Sequence, residues 1–241
     1  MLDGIKRLFT AGASAAAPEW EGIVPWAESR QYTYRAVQNE GFVIDGRMGT
    51  IAWRLEWGPS QRSYITGHEL RLRADAGLPG DLQAVLMNRE LQETMEKAVF
   101  EQFVEGVQTR IDNETPPEMR WLVMYPKLSG PEMPLLRDRY VALSSSKKWL
   151  LNWLSGDLTK SIAALAPLPE VPLVVMITRG RLTLRTALPE AQIGAVQSAL
   201  RVFESALREA RRVADQGTAE EPGSEGSAWS PSVAPGDDPK A

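Results

Sequence analysis

Cysteine is absent from this chain of 241 residues, and histidine occurs only once, as His68. Thiolate and imidazole are the side chains that most often attack substrates, titrate near neutral pH and bind transition metals. Thiol chemistry is therefore excluded, a histidine-based triad depends on His68 alone, and the usual zinc sites lack ligands. We accordingly expect no catalytic residue, no metal and no cofactor, and we favour a protein that is not an enzyme.

Long apolar runs and a strong excess of one charge are lacking as well. No stretch approaches the roughly 18 consecutive apolar residues that a membrane-spanning helix requires. The net charge is −4, and the segment from Asp215 onward contributes −5, so residues 1–214 carry +1. A nearly neutral body argues against a nucleic-acid partner, although it leaves room for a local basic patch.

What is present is typical of a soluble globular protein, with 43% hydrophobic and 24% charged residues. Composition and pattern divide the chain into four parts: an amphipathic segment with a linker (1–17), a β-meander plus helix (18–130), an α+β subdomain (131–214) and an acidic tail (215–241). The tail is rich in Gly, Ser, Pro and acids, which predicts disorder. Arginine outnumbers lysine by 20 to 7, which favours a bacterial source, and we expect a cytoplasmic location.

Alternation of apolar and polar residues predicts an antiparallel meander between Tyr32 and Ala74. Ile51, Trp53, Leu55 and Trp57 alternate with polar residues, the period of two of a half-buried strand. Further strands are expected at 32–37, 42–45 and 64–73. A strand at 82–87 then leads to Asn88, a good N-cap, and a helix over 89–109.

The second half predicts a strand–helix–hairpin–helix unit. Trp121–Tyr125 is expected to be a strand after a turn that opens at Thr115. A strand at 139–143, a helix from the Ser144–Ser146 cap to about 165, a hairpin around Arg179-Gly180 and a helix over 190–214 follow. The fold class is thus α+β, and we expect the helices to cover one face of the sheet.

Two motifs with catalytic associations have structural explanations. Ser144 to Lys147 matches the S-x-x-K spacing of serine acyl-enzymes, but its companion motifs are absent and serines also cap helices. His68 and Glu69 are adjacent in a predicted strand, so their side chains point to opposite faces and form no local pair.

Two helices are candidate contact surfaces. Leu200, Phe203 and Leu207 belong to a three-heptad stripe on helix 190–214, which suits either the protein's own core or a homodimer or partner helix. Trp149 and Trp153 lie four residues apart beside two lysines, a composition that suits a core, a partner or a membrane surface.

These observations favour a non-catalytic protein-interaction or scaffold domain. The first alternative is a small-ligand-binding module with a pocket lined by Trp53, Trp57 and Tyr64. A further alternative is a peripheral membrane protein that contacts lipid through residues 1–12 or through Trp149 and Trp153. An enzyme that uses carboxylates, Tyr, Lys or Arg is the remaining alternative.

Overall fold

A computed structural model describes residues 22–37, 40–104, 116–165 and 171–219. The predicted N-terminal segment (1–17) and the tail beyond Ala219 lie outside the described residues. Within the described ranges the chain forms one antiparallel sheet and six α-helices. The α+β prediction is therefore confirmed.

The sheet has eight strands in the order β1-β2-β3-β4-β8-β7-β5-β6. Their bounds are β1 Thr33–Val37, β2 Gly41–Met48, β3 Ile51–Pro59, β4 His68–Asp75, β5 Ala84–Asn88, β6 Tyr140–Ser144, β7 Leu173–Thr178 and β8 Arg181–Ala187. The first four strands form the predicted meander, and the predicted hairpin is β7–β8. Because β8 pairs with β4, the hairpin joins the meander to the other strands.

The helices are α1 Ile23–Ser29, α2 Arg89–Val104, α3 Pro117–Met124, α4 Lys147–Trp153, α5 Asp157–Ala164 and α6 Ile193–Ala219. They lie on both faces of the sheet, not on one as predicted. One apolar cluster joins α1, α4, α5 and α6 to the sheet. A smaller cluster packs α2 and α3 on the opposite face, against β5, β6 and β7. Strands at this end are therefore buried on both sides, which explains their continuous apolar runs.

The expected strand at Trp121–Tyr125 is wrong, because these residues belong to α3 and its C-cap. Pro117 occupies the first helical position, where its missing N–H costs no hydrogen bond. Trp121 and Leu122 are buried together while Val123 and Met124 are exposed, which is helical periodicity and not strand alternation. A five-residue apolar run cannot by itself separate these two structures.

Two helix ends also differ from expectation. Asn88 ends β5 and uses its side chain to bind the backbone of Val171 and Leu173, so it does not cap α2. The helix expected to end at 214 continues to Ala219, which includes the first residues of the predicted tail. Ser146, by contrast, is the predicted cap of α4, and its Oγ accepts a hydrogen bond from the Trp149 N–H.

Candidate functional site

The aromatic residues predicted to share a pocket lie on opposite faces of the sheet. Trp53 and Trp57 are buried in the cluster beneath α6. Tyr64 instead packs against the cluster of α2 and α3, and its hydroxyl donates to Glu118 at 2.6 Å. The Trp57 indole donates to the Leu188 carbonyl at 2.8 Å, and its ring stacks on His68. The sheet therefore does not bring these three side chains together.

The two tryptophans of α4 differ in environment. Trp153 is fully buried, and its indole N–H donates to the Ala206 carbonyl of α6 at 2.9 Å. Trp149 is half-buried against the same core, and the two ring centroids lie 5.3 Å apart. Trp153 thus serves the contact between α4 and α6 and has no surface to offer a partner or a membrane.

The apolar stripe of α6 lies inside the protein. Leu200, Phe203 and Leu207 are buried, and Ala199, Val202, Ala206 and Ala210 beside them are buried too. The buried side of α6 is therefore broader than a coiled-coil seam, as expected of a helix that packs on a sheet. These side chains form core contacts in the single chain, and a homodimer through helix 190–214 would have to use other residues.

The S-x-x-K spacing has a structural role. The Ser144 hydroxyl donates to the Gln83 carbonyl and accepts a hydrogen bond from the Ser146 N–H. Lys147 forms an ion pair with Glu132 at 2.6 Å. Because serine and lysine have separate partners, the motif organises the turn between β6 and α4.

Arginines are concentrated on the sheet face opposite α6. Side chains alternate along a strand and cross-strand partners share a face, so the register aligns Glu56 with Arg71 and Arg185, and Asp45 with Arg54 and Arg73. Seven arginines of β1–β4 and β8 share this face: Arg35, Arg47, Arg54, Arg71, Arg73, Arg181 and Arg185. We call it the arginine face. It carries four acids, Asp45, Glu56, Glu69 and Asp75, and hence a net charge of +3.

Ion pairs hold the arginines in place. Asp45 accepts from Arg54 at 2.7 Å and from Arg35 at 2.8 Å. These hydrogen bonds, that of Arg54 first, keep the pKa of Asp45 below its ordinary value against the opposing effect of burial. Glu56 likewise binds both Arg71 and Arg73. Because each acid bridges two guanidinium groups, cations remain in excess while their positions are fixed.

Along the cross-strand row of Arg35, Arg71 and Arg185, burial increases from β1 to β8. The Arg35 side chain is 55% exposed and that of Arg185 only 9%. Arg185 donates to Glu69 at 2.7 Å, and Arg71 donates to the same carboxylate oxygen at 3.1 Å. The surface thus combines exposed arginines at one edge with an anchored, buried arginine near its centre.

A buried ion pair lies beside this face, since Arg62 and Tyr64 are electrostatic neighbours of Arg185. Glu118, the second residue of α3, is fully buried and accepts from Arg62 Nε at 2.7 Å and from the Tyr64 hydroxyl. Burial and then the Glu118 charge raise the pKa of Tyr64 well above its ordinary value, so the phenol keeps its proton. Among the described residues, Glu118 Oε2 and Arg185 Nε are buried without a hydrogen-bond partner.

Only part of the arginine face is apparent from the amino-acid sequence. Arg71 and Arg73 are visible as the outward residues of a predicted strand, as are Arg54 and Glu56. The missing information is the register of strands far apart in sequence, since Arg185 meets Glu69 across 116 positions. No local pattern specifies that pairing.

Comparisons with protein-family models, with curated proteins and with solved structures found no match for this chain. Over the part of the chain that the structure describes, no three His, Cys, Asp or Glu side chains group as metal ligands. In the same ranges, no helix has both the length and the apolar character needed to cross a bilayer.

Proposed function

We propose that this chain is a non-catalytic protein-interaction domain and that its arginine face binds an acidic segment of a partner protein. The observation that carries the proposal is the grouping of seven arginines on one sheet face. Guanidinium groups offer several donors in a rigid fork that matches a carboxylate. The domain's nearly neutral body thus carries a local positive surface that complements an acidic chain.

The mixture of charges favours a protein over a nucleic acid as the partner. Asp45, Glu56 and Glu69 are interspersed among the arginines, and each would repel a continuous phosphate backbone. Binding of single-stranded nucleic acid also relies on aromatic stacking platforms. The nearby tryptophans, Trp53 and Trp57, are buried on the opposite side of the sheet.

Exposure supports an interaction at the outer edge of the arginine face. Arg54 and Arg73 retain about two fifths of their side-chain surface, at 40% and 41%, although both are paired with an acid. Each guanidinium group therefore has donors left for a second carboxylate. Pre-positioned side chains lose less entropy on binding than free ones, which favours binding at this face.

Binding of a labelled oligoglutamate peptide, followed by fluorescence anisotropy, tests this proposal. We expect binding that weakens as salt is added, because exposed charges are screened. The double variant Arg35→Gln with Arg73→Gln should bind about tenfold more weakly, which is about 0.7 kcal/mol for each exposed arginine. The matched control, Arg201→Gln with Arg208→Gln, removes the same charge from exposed positions on α6 and should leave the affinity unchanged.

Two results would contradict the proposal. Equal losses in the two double variants would mean that only net charge matters. Tighter binding of an oligothymidylate than of oligoglutamate, with the same dependence on Arg35 and Arg73, would assign the face to nucleic acid. The proposal includes a bacterial, cytoplasmic setting, which fractionation of the native cells tests.

A further inference from the structure

The two edges of the sheet differ in how they are covered. At one edge, Lys127 forms a bridge with Leu143 of β6. The Leu128 N–H also donates to the Ala142 carbonyl at 2.8 Å, so part of this edge is paired. At the other edge lies β1, and among the described residues it pairs with β2 alone. One side of β1 therefore presents unpaired backbone N–H and C=O groups, with which a further strand can pair.

The register of the sheet identifies the residues that face this open edge. The Ser60 N–H donates to the Gly67 carbonyl at 2.9 Å, which extends the β3–β4 register by one position. Residues of an antiparallel strand turn their backbone groups alternately to one neighbour and to the other. Even-numbered residues of β3 therefore face β4, and even-numbered residues of β2 face β3. By the same alternation, Tyr34 and Ala36 of β1 direct their N–H and C=O groups away from β2.

Side-chain exposure agrees with an open edge at β1. Ala36 is exposed although it lies within a strand, and Val37 is 43% exposed. Arg35 lies between the two residues that face the edge, and its side chain is on the arginine face at 55% exposure. The pairing of β1 with β2 is regular and Thr33–Val37 contains no proline, so two features that block strand addition are missing here.

Charge limits what can pair with this edge. In an added strand, the residue directly opposite Arg35 would lie on the arginine face, and like charges in that position are unfavourable. Antiparallel pairing of two copies of the chain through β1 would join two faces that each carry +3. A strand with an acidic residue opposite Arg35 would gain an ion pair instead. The edge is therefore better matched to an acidic segment than to a second copy.

We propose that the acidic segment of the partner binds as a ninth strand, antiparallel to β1 of the eight-stranded sheet. The backbone of Tyr34 and Ala36 pairs with the segment, and Arg35 binds an acidic side chain directly opposite. This inference rests on the proposed function and adds the mode of binding, in which backbone hydrogen bonds supply affinity and alternate side chains supply specificity. Acids of the segment lie on the arginine face, and uncharged residues lie beside Tyr34 and Ala36.

Amide hydrogen exchange of the ¹⁵N-labelled full chain, followed by NMR, tests this pairing directly. The probe is a labelled peptide in which threonine and glutamate alternate. In the chain alone, the Arg35 amide should exchange slowly because it faces β2, whereas those of Tyr34 and Ala36 should exchange fast. Saturation with the peptide should slow exchange at Tyr34 and Ala36 about tenfold, as expected for N–H groups that gain a hydrogen bond.

Two N-methylated versions of the peptide separate backbone pairing from charge. In an antiparallel ninth strand with its glutamates on the arginine face, the threonine N–H groups point to β1 and the glutamate N–H groups point away. Methylation at the threonines should therefore weaken binding about tenfold, and methylation at the glutamates should have little effect, although both peptides carry the same charge. Fluorescence anisotropy measures both affinities.

Ala36→Pro removes an N–H group from the open edge and leaves the pairing of β1 with β2 in place, since prolines are tolerated on edge strands. It should weaken binding of the unmethylated peptide about tenfold. The control Ala36→Val keeps the N–H group and should keep the affinity. Urea denaturation checks the fold of both variants, and the methylated peptides decide the question if Ala36→Pro does not fold.

Equal binding of the two methylated peptides, or unchanged exchange at Tyr34 and Ala36, would overturn the ninth strand. Binding that still depends on Arg35 and Arg73 would then leave the proposed function standing, whereas no binding of any acidic peptide would refute both. Slow exchange at Tyr34 and Ala36 without peptide would show that the edge is already occupied. Light scattering would assign that occupant, since a dimer means a second copy and a monomer means another segment of this chain, and either would overturn the inference.

Discussion

Replacement of Trp153 by phenylalanine tests how α4 is held to α6. The Trp153 side chain is fully buried, and its indole N–H donates to the Ala206 carbonyl at 2.9 Å. Phenylalanine keeps one aromatic ring but removes the donor and leaves space where the indole's second ring packed. Both losses act on the folded state, so the variant should be less stable while keeping the same fold.

The expected loss is about 2 kcal/mol in the free energy of unfolding. A neutral hydrogen bond contributes about 1 kcal/mol. The space left by the missing ring atoms adds roughly another 1 kcal/mol, because a packed core relaxes only in part. With a urea m-value of about 2–3 kcal/mol/M, the midpoint of unfolding should fall by roughly 0.7–1 M.

Urea denaturation followed by far-UV circular dichroism measures this shift without relying on tryptophan emission. Trp149→Phe is the matched control, since Trp149 lies one turn earlier on α4 and is half-buried. Its midpoint should fall by less than half as much. Equal midpoints for Trp153→Phe and the unmodified chain would refute the assignment of Trp153 to the core and would restore it as a residue available to a partner or a membrane.

Two further predictions concern a buried acid, Glu118, and a half-buried one, Glu204. Glu118→Gln should lower the free energy of unfolding by about 3 kcal/mol in urea denaturation, because Arg62 loses a fully buried ion-pair partner. The control Asp138→Asn, at an exposed ion pair, should leave the free energy of unfolding unchanged. Equal effects of the two substitutions would contradict the reasoning. Burial raises the pKa of Glu204 above its ordinary 4.5, against the opposing effects of Arg208 and Arg30. Ionisation of Glu204 is therefore less favourable in the folded than in the unfolded state, and it reduces stability as pH rises through the pKa of the folded state. Glu204→Gln should therefore raise the urea midpoint at pH 7 and leave it unchanged at pH 3; no gain at pH 7 would contradict the raised pKa.

Local patterns were sufficient for strand β3 and for the turn between β7 and β8. The alternation in β3 predicts both its length and its buried face, because every second residue meets the core. The β7–β8 hairpin is equally well specified, since Arg179 and Gly180 both adopt positive φ, as its two-residue turn requires. In these elements the sequence preference and the tertiary environment agree.

The break between α4 and α5 shows why other features could not be predicted. The apolar stripe from Leu151 to Leu165 is continuous, so it predicts one helix. The chain nevertheless breaks between Trp153 and Asp157. At Gly156, in this break, the Glu209 carboxylate of α6 occupies the space that a Cβ atom would need. That carboxylate also accepts from the Asp157 N–H at the start of α5. A contact across 52 residues thus overrides the local pattern.

The same long-range pairing makes the arginine face a property of the whole sheet. The predicted boundary near residue 130 separates β4 from β8, yet these strands pair along seven residues, and Arg71 and Arg185 share the Glu69 carboxylate across the pairing. Cutting the chain there would leave Glu69 with one arginine in one piece and Arg185 without Glu69 in the other. Since a buried charge without its partner is strongly unfavourable, the arrangement that would bind an acidic segment requires both halves of the chain.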